Sequence, residues 1–84
     1  MDYTTRSPNL QRFTRTEGQW LSFKLKAAGI THAEVANAAG VSETFVTMVL
    51  NGKRSSIHVY SVLCAKLDFS SLAELMAEAT RGAA

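Results

Sequence analysis

Between residues 20 and 79 apolar side chains recur at intervals of three and four, and the recurrence is broken at Gly29, Gly40, Gly52 and Asp68. A period near 3.6 marks helices with one buried face, and glycine or a short polar residue just after such a run marks a helix end. The pattern predicts five helices. The first spans about Thr16 to Ala28, with Thr16 and Gln19 at capping-box spacing, Leu21, Leu25 and Ala28 on one stripe, and Trp20 and Lys24 beside it. The second opens at Thr31 with Glu34 three residues on, and turns Val35 and Ala36 inward. Gly40 provides a residue able to take positive φ, Val41 plugs the turn, and Ser42 caps a third helix that runs to about Leu50. The fourth is capped by Ser55 or Ser56 and buries Val59, Leu63 and Leu67, with Tyr60 and Cys64 beside them. The fifth has Ser71 and Glu74 as its box, with Leu72, Leu75, Met76 and Ala79 inward. Trp20, Phe23 and Phe45 are expected as core or interface aromatics. Strand patterns are absent apart from short β-branched clusters such as Val46 to Val49.

Residues 1–15 show no sustained period and contain the only proline, so they read as a flexible or partly ordered arm. The organisation predicted is this arm, a domain over 16–80 and a tail over 81–84. Eighty-four residues suffice for one domain and no more. Its 46% apolar and 19% charged residues exclude wholesale disorder. No apolar run approaches the roughly 20 residues of a spanning helix, and no apolar stretch follows the early charges as a secretory signal requires. With Cys64 alone and only His32 and His58, neither an intrachain disulfide nor a structural zinc site is expected. Cys64 reads as a small core hydrophobe rather than a nucleophile. These features fit a reducing, cytoplasmic setting.

The net charge of +2 is unevenly spread: residues 1–54 carry seven Lys/Arg against four Asp/Glu, and residues 55–84 two against three. A basic leading two thirds permits an anionic partner. Thr31 to Leu50 has the form of a helix-turn-helix, two short helices joined at Ala39-Gly40-Val41. Ala36 is small where the helices cross, and Val46 and Val49 anchor the third helix so that Glu43, Thr44, Thr47 and Met48 are left outside the core. In such a motif the start of that helix enters the major groove.

The string Gly29-Ile30-Thr31-His32-Ala33-Glu34-Val35-Ala36, then Ala39-Gly40-Val41-Ser42, then Asn51-Gly52-Lys53-Arg54 resembles the lambda repressor and Cro family of bacterial and phage regulators, over about residues 20–78. The resemblance implies an all-α, five-helix, lambda-repressor-like DNA-binding domain. It also implies that Glu43, Thr44 and Met48, with Thr47 nearby, read base edges. Ser42, Asn51, Lys53 and Arg54, with His32, would contact phosphates. Two positions depart from the family pattern. His32 stands where many members carry Gln, and brings a titratable donor. Leu25 and Leu50 stand where many members pair Arg with Glu, an exchange that leaves no buried charge unpaired.

Each residue also has a plainer reading. Glu43 is an acid favoured by the helix dipole or an acceptor for cytosine N4. Met48 touches a thymine methyl or fills the core. Lys53 and Arg54 are a solvated loop or phosphate contacts. Arg6, Arg12 and Arg15 form a DNA-contacting arm or a solubilising tail. No paired carboxylates, Gly-rich phosphate loop or Ser/His/Asp set stands out, so no enzyme, metal or cofactor is expected.

The expected function is sequence-specific binding of a palindromic double-stranded DNA operator, as a repressor. The expected form is a homodimer, because one reading helix covers too few base pairs alone, and the expected dimer surface is Leu72, Leu75, Met76 and Ala79. The alternative of a different class is a protein-binding module on the same fold, an antitoxin or adaptor.

Overall fold

A computed structural model describes residues 11–83. Five helices follow one another: α1 Arg15–Ala27, α2 His32–Ala39, α3 Glu43–Leu50, α4 Ile57–Leu67 and α5 Leu72–Ala83. No strand occurs among the described residues. The Val46 to Val49 cluster is helical because Val46 and Val49, three apart, both point into the core.

Side-chain caps decide where the helices begin. Thr31 and Glu34 form the predicted box around the start of α2, and Ser42 and Ser56 accept from Phe45 N–H and Val59 N–H at the starts of α3 and α4. At α1 the cap differs from expectation. Thr14 and Glu17 form the box, not Thr16 and Gln19, so Arg15 is already helical. Both pairs have the right spacing, but a carboxylate accepts more strongly from the N-cap N–H than an amide does. Phe13 fixes the register further, being 97% buried against the Tyr60 ring with centroids 4.9 Å apart. Tyr60 in turn donates its hydroxyl to Gln11 O at 2.5 Å. Residues 11–15, the end of the expected arm, are therefore packed on the helices; residues 1–10 lie outside the described region.

The first four helices end alike. Gly29, Gly40, Gly52 and Asp68 take positive φ, and the N–H that follows each returns to a carbonyl five residues back: Ile30 to Leu25, Val41 to Ala36, Lys53 to Met48 and Phe69 to Cys64. This motif usually places an apolar side chain after the left-handed residue, to pack back on the helix. Ile30, Val41 and Phe69 do so, half-buried against the core. After α3 the position is Lys53, which is exposed.

The core is wholly apolar apart from the Tyr60 hydroxyl; its fully buried members include Leu21, Val35, Val46, Val49, Leu63 and Leu75. α1 packs on α3 and α5, α2 on α3 and α4, and α4 on α5. Gly18 makes the α1–α3 approach possible, since a Cβ there would lie 1.5 Å from Leu50 O. α5 is latched to α1 by Thr80, which donates to Glu17 at 2.8 Å, and by the Trp20 ring lying on Gly82. The tail expected from residue 81 is thus helix through Ala83, with Ala84 outside the described residues. Ala28, expected on the buried stripe of α1, is its exposed C-cap, and Phe23 is 67% exposed rather than packed. No helix among the described residues is long and apolar enough to cross a membrane.

Candidate nucleic-acid interface

α2 and α3 meet at Gly40-Val41-Ser42, with Ala36 buried at their contact and Val46, Val49 and Leu50 holding α3 to the core. That attachment leaves the opposite face of α3 to solvent. Glu43 and Thr44 are exposed on its first turn and Thr47 on the next, whereas Met48 is half-buried. Ser42 is exposed, with its hydroxyl oxygen committed to the cap.

The two helices are also tied on the exposed side. His32, the first residue of α2, places Nδ1 3.2 Å from Thr47 Oγ1. Thr47 donates its own hydrogen to Glu43 O at 3.2 Å. A hydroxyl has one hydrogen, so its oxygen is free to accept only, and Nδ1 is the protonated ring nitrogen. This assignment follows from the hydrogen-bond network. Nε2 is then the ring atom not tied to α3. Sequence spacing alone does not bring His32 and Thr47 together, because the link depends on the angle between the helices.

The cations gather where α3 ends. Asn51 is its C-cap, and Lys53 and Arg54 are exposed just beyond. Arg15, from the first turn of α1, joins Asn51 and Lys53 around a cleft of about 250 Å³. Arg12 is exposed close by in sequence, and Arg6 lies outside the described residues. Glu17 makes no ion pair with this group among the described residues; one of its oxygens accepts from Thr14 N–H and the other from Thr80. Those bonds, the Thr14 N–H first, hold its carboxyl below the usual range against an opposing effect of partial burial.

The expected dimer surface is only partly available. Leu75 and Ala79 are fully buried within the chain's own core, because α5 closes over α1 and α4. Leu72 and Met76 remain half-buried and, with Gln11, line a depression of about 430 Å³. Cys64 donates to Ser71 O at 3.5 Å, and burial, then the charge of Glu74, pushes its thiol up and away from thiolate chemistry. Among the described residues no group of three His, Cys, Asp or Glu could hold a metal ion. Leu25 and Leu50 are both buried, so the apolar exchange sits inside the core.

Four residues are not signalled by the pattern of apolar positions: Gly18, Phe13, Gln11, and Gly52 as a contact, where a Cβ would lie 2.2 Å from Phe13 O. A glycine inside a predicted helix costs about 1 kcal/mol relative to alanine and therefore signals a packing reason, which was the available clue to Gly18. Phe13 sits among polar residues with no period to reveal it.

The site so assembled is an exposed polar helix face with cations at one end that pair with no carboxylate among the described residues. A scan against models of known protein families and a search of curated proteins find no match for the chain.

Proposed function

We propose that this chain is a sequence-specific DNA-binding regulator of the lambda repressor and Cro type, with α2 and α3 as its helix-turn-helix. One observation carries the reading. The polar face of α3, Glu43, Thr44 and Thr47, ends beside Arg15, Lys53 and Arg54, and no carboxylate pairs with these cations among the described residues. In this reading α3 enters the major groove with Glu43 and Thr44 at base edges, and His32, Asn51, Lys53 and Arg54 meet phosphates. Thr47 serves chiefly to position His32 through its hydroxyl. Met48, half-buried, reaches a base only by its methyl end. The protein binds a palindromic operator as a homodimer in the cytoplasm, represses by occupying promoter DNA, and catalyses nothing.

Selection of bound sequences from a random duplex library tests this. The expected result is an enriched two-fold symmetric motif with half-sites about one helical turn apart; no enrichment over several rounds would refute it. A protein-binding module is the second reading, and the modest net charge of +2 favours it, since a duplex-binding surface is ordinarily strongly basic. A slope of several units in log affinity against log salt separates DNA from that alternative.

A further inference from the structure

We propose that Arg15, Asn51 and Lys53 form one preorganised oxyanion site that grips a single backbone phosphate; the proposal rests on the nucleic-acid reading above. The sequence places Arg15 at the end of a flexible or partly ordered arm. The structure seats it instead in the first turn of α1, facing a cleft whose other walls are Asn51 and Lys53 at the end of α3. Arginine and lysine side chains offer only donors, and the asparagine amide adds two more. Two like charges around one cleft, with no acid lining it among the described residues, are stabilised by an anion placed there, and the non-bridging oxygens of a phosphodiester match a guanidinium fork on one side and an ammonium on the other.

The two backbones are fixed relative to each other. A Cβ on Gly52 would lie 2.2 Å from Phe13 O, so the turn after α3 rests directly on the chain leading into α1. Phe13 is buried, Lys53 N–H is bonded to Met48 O at 2.9 Å, and Gly18 meets Leu50 O one turn away. Folding therefore holds Arg15 and Lys53 at the same cleft before any ligand arrives, which lowers the ordering cost of binding.

The test measures the salt dependence of binding to short random-sequence duplexes for the wild type, Arg15→Ala, Lys53→Ala and the double variant. The double variant is expected to lower the slope by about one unit, the count for one phosphate, and each single change by less. The double variant is expected to lose less affinity than the product of the single losses, the sign of a shared ligand. A double variant that binds duplex with a slope lowered by about two units or not at all, or losses that multiply independently, overturns the shared site and leaves the nucleic-acid reading standing. Inorganic phosphate, titrated while the backbone amides of residues 14, 15 and 51–53 are followed by NMR, supplies the other arm. Shifts at these amides that vanish in the double variant, with no duplex binding by the wild type, would keep the anion site and refute the nucleic-acid reading. No response to either probe refutes both.

Discussion

Tyr60 joins the chain ahead of α1 to the first turn of α4 through one hydroxyl, and its chemistry makes that join sensitive to alkali. Burial pushes the phenol up from its ordinary 10 to about 12, against a smaller opposing pull from the Arg12 charge. The folded state thus favours the neutral, donating form. The stability this contributes is complete below pH 10 and is lost as pH rises through about 12. Tyr60→Phe should cost about 1 kcal/mol at neutral pH and flatten the fall in stability between those pH values; chemical denaturation of both proteins across that range checks it. On the candidate interface, Thr44 touches nothing in the core. Thr44→Ala should leave the melting temperature unchanged and relax preference at one base position by about 1–3 kcal/mol, measured against a selected operator and its single-base variants.

Glycines separate conformational cost from contact cost at the level of the helices. Gly40, at φ 73°, has open space around its missing side chain, so Gly40→Ala should cost about 1 kcal/mol for the left-handed backbone alone. Gly18 is helical, and alanine there would be better by about 1 kcal/mol in isolation, yet its Cβ would run into Leu50 O. Overpacking of that kind outweighs propensity, and Gly18→Ala should lose about 2 kcal/mol net. Urea titrations that ranked the two in reverse would refute the α1–α3 approach. The Glu17 cap has its own pH signature. Its carboxyl lies below the ordinary 4.5 in the folded state, so its contribution is present above that value and fades as pH falls through the depressed one. Glu17→Gln should remove that part of the acid sensitivity.

The same elements show what was legible in the sequence. Caps and stops were, because Thr31, Ser42, Gly40 and Asp68 act on the backbone within a few residues of themselves. The start of α1 was not, because Thr14–Glu17 and Thr16–Gln19 are equivalent locally and tertiary burial of Phe13 chose between them. The exposed face of α3 followed from Val46 and Val49. The Arg15 cleft and the His32–Thr47 link depend on how helices cross, which no local pattern encodes.

For the whole molecule, burial of Leu75 and Ala79 leaves Leu72 and Met76 as the part of the proposed dimer surface that a second copy could reach. Leu72→Asp should convert a dimer to monomer by sedimentation, keep the helical circular dichroism signal, and weaken binding to a palindrome far more than to a half-site. The packing of α5 on α1, through Glu17–Thr80 and Trp20–Gly82, has a consequence for synthesis. The first helix obtains its largest partner from the last of the five. A nascent chain halted before Leu72 carries α2 and α3 complete in sequence but leaves α1 and α4 without the helix that packs on both. Such a chain should be cut by proteases faster than one that includes α5, with the candidate surface firm only once α5 has been made.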